Sequence, residues 1–163
     1  MVVEKIINVI AECLYDGGKV ILIGNGGSAA DAQHIAAEFT GRYNHERPPL
    51  RALAFTNTSE LTAIANDYTY DHVFERLVEA WADDGDVLIA LSTSGKSENI
   101  LAAIERGAEL GMTTVGFTGR KEMGCDLNVA IGWAHTATVQ EEHMRLLHRI
   151  VGEVEDALSS LWE

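Results

Sequence analysis

The sequence predicts an α/β fold, a three-layer sandwich in which helices flank a five-stranded parallel sheet. Short apolar runs recur along the chain, and a stretch of helical spacing separates most of them. The runs are continuously apolar rather than alternating, the pattern of strands buried on both faces. Several end in glycine, serine or threonine, which places permissive or hydroxyl-bearing loops at the strand ends.

Each element follows from its residues. Over 3–15, Ile6, Ile7, Val9, Ile10, Cys13 and Leu14 fall at helical spacing, and Gly17-Gly18 stops the helix. Lys19–Gly24 is the first strand and Ser28–Phe39 the helix after it, with small residues along one side. Arg51–Phe55 is the second strand. Segments 59–66 and 71–82 are helical, parted by a loop at Tyr68-Thr69-Tyr70. Asp86–Ser92 is the third strand, and the helix Ser97–Leu110 ends at Gly111. Thr113–Thr118 and Asn128–Trp133 are the fourth and fifth strands, and Thr138–Trp162 closes the chain as a long helix. No internal repeat or low-complexity linker interrupts the 163 residues, so 1–163 reads as one domain.

Composition removes several classes of function. With 47% hydrophobic and 23% charged residues, the chain can build a core and does not read as disordered. A net charge of −13 leaves no basic surplus for a nucleic-acid backbone. Any phosphate must therefore be held by local donors, against the overall field. The N-terminus lacks the basic and apolar regions of a signal peptide. No apolar run approaches the roughly 20 residues that span a bilayer, so no membrane partner is expected. Cys13 and Cys125 show neither disulfide-framework nor metal spacing and read as reduced thiols of a cytoplasmic protein.

In a parallel sheet the ligand sits beyond the carboxyl ends of the strands, near a topological switch point. Two loops stand out there. Gly24-Asn25-Gly26-Gly27-Ser28-Ala29 fits a dinucleotide fingerprint. The second strand, however, ends in Phe55-Thr56-Asn57, without the carboxylate that would hold a ribose. The glycines then serve close approach of the backbone to another ligand. Ser92-Thr93-Ser94-Gly95-Lys96-Ser97 ends like a Walker A loop, but Ala90 stands where that motif needs glycine. No nucleotide cofactor is expected. What remains is a cluster of hydroxyls at a helix N-terminus, suited to a phosphate monoester. Helix capping by Ser94 or Ser97 would explain one of those serines, but not the run of hydroxyls.

His34 and Glu38 lie one helical turn apart, on one face, about 6 Å along the axis. They could share a metal or a substrate, although an exposed i,i+4 pair has the same spacing. Gln140 and His148 rise about 12 Å apart on the last helix. Either Gln140 precedes the regular helix, or the two serve a site built by more than one subunit. His45, His72, His135 and His143 read as surface or packing residues.

These residues together resemble a known family. Gly24-Asn25-Gly26-Gly27-Ser28, Asp31-Ala32-Gln33-His34, Glu38-Phe39-Thr40-Gly41-Arg42 and Leu61–Tyr68 are similar to bacterial phosphoheptose isomerases of the SIS (sugar isomerase) superfamily. So are Gly85-Asp86-Val87-Leu88, Ser92–Ser97, Gln140-Glu141-Glu142-His143 and His148, in order over residues 17 to about 160. The resemblance implies isomerisation of D-sedoheptulose 7-phosphate to D-glycero-D-manno-heptose 7-phosphate, a precursor of cell-surface heptose, through an enediol. It implies Glu38 as general base and His148 as general acid. It implies Zn2+ on His34, Glu38, Gln140 and His148 in the members that carry zinc. Asn25, Gly26, Gly27, Glu38, Asn66, Asp67, Ser92, Thr93, Ser94, Ser97 and Gln140 would contact substrate, with Ser28 and Arg42 nearby. The implied assembly is a homotetramer, or at least a homodimer, with active sites at subunit contacts.

Two departures stand against the family pattern. The family typically carries a further helical segment before the matched part, which bears on the tetramer contacts. Thr138 occupies the place of a usual arginine, removing a cation that could touch substrate or a neighbouring subunit. Two other readings compete with the isomerase. One is a non-catalytic scaffold or sugar-phosphate sensor on the same fold, which would have no need of both Glu38 and His148. The other is an isomerase of a pentose or hexose phosphate.

Overall fold

A computed structural model of the chain describes residues 1–133 and 135–162. Ala134 and Glu163 lie outside the described residues. The elements run α1 (Val2–Tyr15), β1 (Val20–Gly24), α2 (Gly27–Thr40), β2 (Ala52–Ala54), α3 (Thr58–Asp67) and α4 (Val73–Trp81). They continue with β3 (Val87–Ser92), α5 (Glu98–Glu109), β4 (Thr113–Thr118), β5 (Leu127–Ala130) and α6 (Thr136–Leu158). Short 3-10 turns occupy Tyr70–His72 and Ser159–Leu161.

The five strands form one sheet in the order β2-β1-β3-β4-β5, and every pair is parallel. Every residue of β1 and β3 is buried, which is why their sequences are apolar without alternation. One face of the sheet, with Leu22, Ile89, Leu91 and Phe117, is covered by residues of α1, α2 and α6. The other, with Ile21, Leu88 and Ala90, packs on α3, α4 and α5. Three layers result, as the sequence predicts. The order reverses between β1 and β3, because the chain leaves β1 towards one edge and β3 towards the other. The loops after Gly24 and Ser92 therefore open side by side at the carboxyl end.

The boundaries towards the C-terminus differ most from the sequence reading. β5 ends at Ala130 rather than Trp133: Ile131 still donates to the Thr118 carbonyl, but Gly132 adopts φ 84° and turns the chain away. α6 starts at Thr136, two residues early, and ends at Leu158. Gln140 consequently lies inside the regular helix, so the first of its two readings does not hold.

Charged pairs gather at the amino end of the sheet. Below β1, Lys19 Nζ lies 2.6 Å from Asp83 and 2.6 Å from Asp86. Burial alone would lower the Lys19 ammonium; its bonds to the two carboxylates outweigh that and leave it raised. At the same end, beyond the last turn of α2, Arg47 and Glu155 form a fully buried pair, with Nε 2.8 Å from Oε1.

Candidate active site

The switch-point cavity encloses about 240 Å3 and is lined by Asn25, Gly27, Ser28, Leu91, Ser92, Thr93, Ser94, Ser97, Thr136 and Gln140. A larger cavity of about 610 Å3 lies elsewhere, lined by Lys19, Arg51, Trp81, Asp83 and others. There Lys19 is neutralised by Asp83 and Asp86, and no acid–base set converges. The smaller cavity has the convergent hydroxyl donors at the switch point, which makes it the candidate anion site.

Its floor is the serine turn. Gly95 donates to Ser92 Oγ at 3.1 Å and Lys96 to Ser94 Oγ at 3.2 Å, which curls the backbone into a cup. Ser92 Oγ lies 3.4 Å from Ser97 Oγ. Gly95 has φ 64°, and a side chain there would collide with the Lys121 carbonyl, so only glycine fits. Ser97 is the N-cap residue of α5, yet its hydroxyl makes no capping bond. Capping therefore does not account for Ser97, whose hydroxyl remains available at the cavity. The positive end of α5 adds its field to these donors.

The opposite wall is Gly27, the first residue of α2. A side chain there would strike the Gln140 amide, so α6 closes over the glycine turn at this point. Further along both helices, His34 Nε2 and His148 Nε2 stand 3.0 Å apart. α2 and α6 thus run parallel: Gly27 meets Gln140 at their start, and His34 meets His148 two turns on. His34 Nε2 is also 3.3 Å from Glu38 Oε1. Ligand atoms of His34, Glu38 and His148 all lie within 4.8 Å of one another, a triad able to hold a metal ion.

Residues that sequence reasoning passed over hold this triad in place. The Tyr43 ring lies parallel to His148, 8° between planes and 5.5 Å between centroids. Tyr43 N, Asn44 N and His45 N all donate to the Glu155 carboxylate. Arg47 donates to the carbonyls of Glu38 at 2.9 Å, Phe39 at 2.8 Å and Gly41 at 3.2 Å. Glu38 and Phe39 belong to the last turn of α2, whose carbonyls have no partner within the helix and which carries no basic residue of its own. Arg47 is in effect the C-terminal cap of the helix that presents Glu38. Burial would raise the Glu155 carboxyl, but bonds from Tyr43, Asn44 and Arg47 outweigh it and hold it low. Glu155 therefore stays ionised opposite Arg47.

Known proteins share this fold and much of this sequence. Residues 1–119 match the family model of the SIS domain. A phosphoheptose isomerase of Burkholderia pseudomallei is 51% identical over 161 residues, covering 96% of this chain and 82% of its own. One of Campylobacter concisus is 48% identical over 159 residues, covering 94% and 84%. The solved structure of a phosphoheptose isomerase from Neisseria gonorrhoeae superposes with TM-score 0.88 at 39% identity, covering 95% of this chain and 85% of that one.

The chain belongs to the phosphoheptose isomerase family.

Within this family member, the residues singled out from sequence separate into three places. Asn25, Gly27, Ser28, Ser92, Thr93, Ser94, Ser97 and Gln140 line the cavity, and Gly26 sits at the exposed tip of the glycine turn. His34, Glu38 and His148 form the triad. Asn66 and Asp67 end α3, exposed and bonded to each other at 3.0 Å, and they do not line the cavity. Arg42 is exposed and 3.8 Å from Glu46. Thr138, half-buried in the first turn of α6, lies 3.4 Å from His135 Nδ1. Thr136 joins the cavity lining, and no pattern in the sequence marked it. His143 is a packing residue, wholly buried against Phe117, with neither ring nitrogen bonded.

Proposed function

We propose that Glu38 and His148 carry the proton transfers of an aldose–ketose isomerisation, sedoheptulose 7-phosphate to D-glycero-D-manno-heptose 7-phosphate. This is the activity that family membership assigns to the chain. The observation that carries the residue assignment is the meeting of Glu38, His34 and His148 on α2 and α6, the two helices whose first turns line the hydroxyl-bearing cavity.

The spacing suits the substrate. From Gly27 to His34, α2 advances about 10 Å at 1.5 Å per residue. In an extended heptose 7-phosphate, C2 lies seven bonds from phosphorus, ~9 Å in a zigzag chain of ~1.5 Å bonds. With phosphate in the cup of Ser92, Thr93, Ser94 and Ser97, an extended heptose chain would direct its C1–C2 end along α2 towards His34.

Glu38 takes a proton from C1 of the ketose and returns it to C2, passing through an enediol. His148 gives a proton to O2 as the first transfer proceeds and removes one from O1 as the aldehyde forms. Tyr43 and the Arg47–Glu155 pair keep both groups at the reacting carbons. The triad also fits zinc. A tetrahedral site with arms of about 2.0–2.1 Å has ligand–ligand edges of ~3.3 Å, close to the 3.0 and 3.3 Å separations here. When bound on His34, Glu38 and His148, such a metal would polarise the substrate carbonyl. Gln140, two turns before His148 and turned to Gly27, serves the substrate's phosphate end in its own chain. Its service as a zinc ligand belongs to an assembled site.

A homotetramer, or at least a homodimer, is the assembly this reading calls for. His34 is half exposed, and the Asn66–Asp67 turn stands clear of its own cavity. The free thiols of Cys13 and Cys125 suit a cytoplasmic location. No helix among the described residues is long and apolar enough to cross a membrane.

The deciding experiment is turnover of sedoheptulose 7-phosphate by the purified chain, with and without chelator. Aldose product is expected, with activity lost to chelator and restored by Zn2+. Bound sugar phosphate with no product would instead favour the sensor.

A further inference from the structure

We infer that Tyr70 and Asn99 are positioning residues of the phosphate end of the site, acting through Asn25. The inference rests on the isomerase reading above and deepens it. Three side chains from three separate segments meet beside the cavity. Tyr70 Oη donates to Asn25 Oδ1 at 2.7 Å. Asn99 Nδ2 donates to the same oxygen at 2.9 Å, and Asn25 Nδ2 donates back to Asn99 Oδ1 at 3.0 Å.

An asparagine side chain offers two acceptor lone pairs and two N–H donors. Three of those four positions on Asn25 are taken by Tyr70 and Asn99. The count is the same if both amides are turned over, because a phenol can accept as well as donate. Asn25 thus has a single bonding position left for substrate. Its side chain serves as a strut, and the glycine turn meets substrate through backbone and through Ser28.

The strut ties together parts that must stay in register. Asn25 lies in the turn between β1 and α2, the wall opposite the serines. Asn99 is the second residue of α5, two after Ser97, and is 3% exposed. The reciprocal amide pair therefore fixes the glycine turn against the helix whose N-terminus forms the anion cup. Burial of Asn99 gives that pair weight, since an unpaired amide there would be costly. Tyr70 is 53% exposed and belongs to the short turn between α3 and α4. Its phenol links the Asn66–Asp67 end of α3 to the cavity wall. A tyrosine suits this task, having a rigid stem with a polar tip.

The test uses the full chain with Tyr70→Phe, Asn99→Ala, Asn25→Ala and the double variant Tyr70→Phe with Asn25→Ala. For each, KM and kcat for sedoheptulose 7-phosphate are measured, together with the Kd of inorganic phosphate by calorimetry. Tyr70→Phe removes one exposed hydroxyl, so folding should survive. Loss of one hydrogen bond that holds an anion site should raise KM and phosphate Kd about 5- to 10-fold, with kcat within twofold. In the Asn25→Ala background, Tyr70→Phe should add nothing further, because the phenol has lost the group it acts on. Unchanged KM and phosphate Kd in Tyr70→Phe would overturn the inference. So would two effects that simply multiply. If the wild-type chain binds phosphate but makes no aldose, the isomerase reading fails, while the phosphate arm still decides the strut.

Discussion

The phosphate cup and the acid–base triad are neighbours in space but are built in opposite ways. The cup is almost wholly local: Ser92 to Ser97 are contiguous, and their hydroxyls and amides bond to one another within the turn. The triad joins His34 to His148 across 114 positions of sequence, and a second long-range tie, Arg47 to Glu155, stands behind it. A local turn keeps its shape when a distant contact is lost. The triad depends on α2 and α6 staying side by side. Damage to the cup should therefore weaken binding, whereas damage to the triad or its tie should cost turnover or the fold itself.

Substitutions can break that contrast, and the largest effect is expected at the chemistry. His148→Ala should lower kcat at least about 100-fold, the usual scale of a lost general acid–base group. Its phosphate affinity should hardly change; a parallel loss of both would mean that cup and triad are not separable. Next comes the tie. Arg47→Ala leaves Glu155 buried and unpaired, and should cost about 3–5 kcal/mol in chemical denaturation. A loss below 1 kcal/mol would show that the backbone N–H groups of Tyr43, Asn44 and His45 suffice to hold the Glu155 carboxylate. Ser97→Ala should raise KM roughly tenfold with kcat retained, because its hydroxyl is free of capping duty and available to an anion. Reduced helix stability with unchanged KM would return Ser97 to a capping role.

The smallest effect is one of pH. Burial pushes the His143 imidazole below its ordinary value, partly offset by the nearby Thr118 backbone. The folded state therefore binds a proton there less readily than the unfolded state, whose value is about 6.5. His143 costs nothing above that pH and erodes stability as pH falls below it, towards its folded value. In melting curves between pH 7.5 and 5, wild type should lose more Tm than His143→Leu. Parallel curves would mean that His143 takes up its proton as readily in the folded state as in the unfolded one.

Most of the fold was legible because buried parallel strands are apolar throughout, as in β1 and β3, and because the helices between them carry a clear period. β5 was read too long because Ile131 and Trp133 are apolar like a strand, while Gly132 turns the backbone between them. The cup was legible because its residues are adjacent. His34 and Glu38 were visible only as an ordinary i,i+4 pair until the family motifs singled them out. Arg47, Glu155 and Tyr43 carried no signal, since a buried ion pair 108 residues apart in sequence leaves no spacing to read. Asn99 and Tyr70 were hidden for the same reason: each looks like an unremarkable polar residue until Asn25 is found between them.

The account stands on a carboxylate that moves protons at one end of a site whose other end holds phosphate independently. Glu38→Gln tests this most directly, with turnover and inorganic phosphate binding measured on the same preparation. Turnover of sedoheptulose 7-phosphate should fall at least about 100-fold while phosphate Kd stays within twofold of wild type. Wild-type turnover in that variant would contradict the assignment of Glu38 and, with it, the proton-transfer role of the triad.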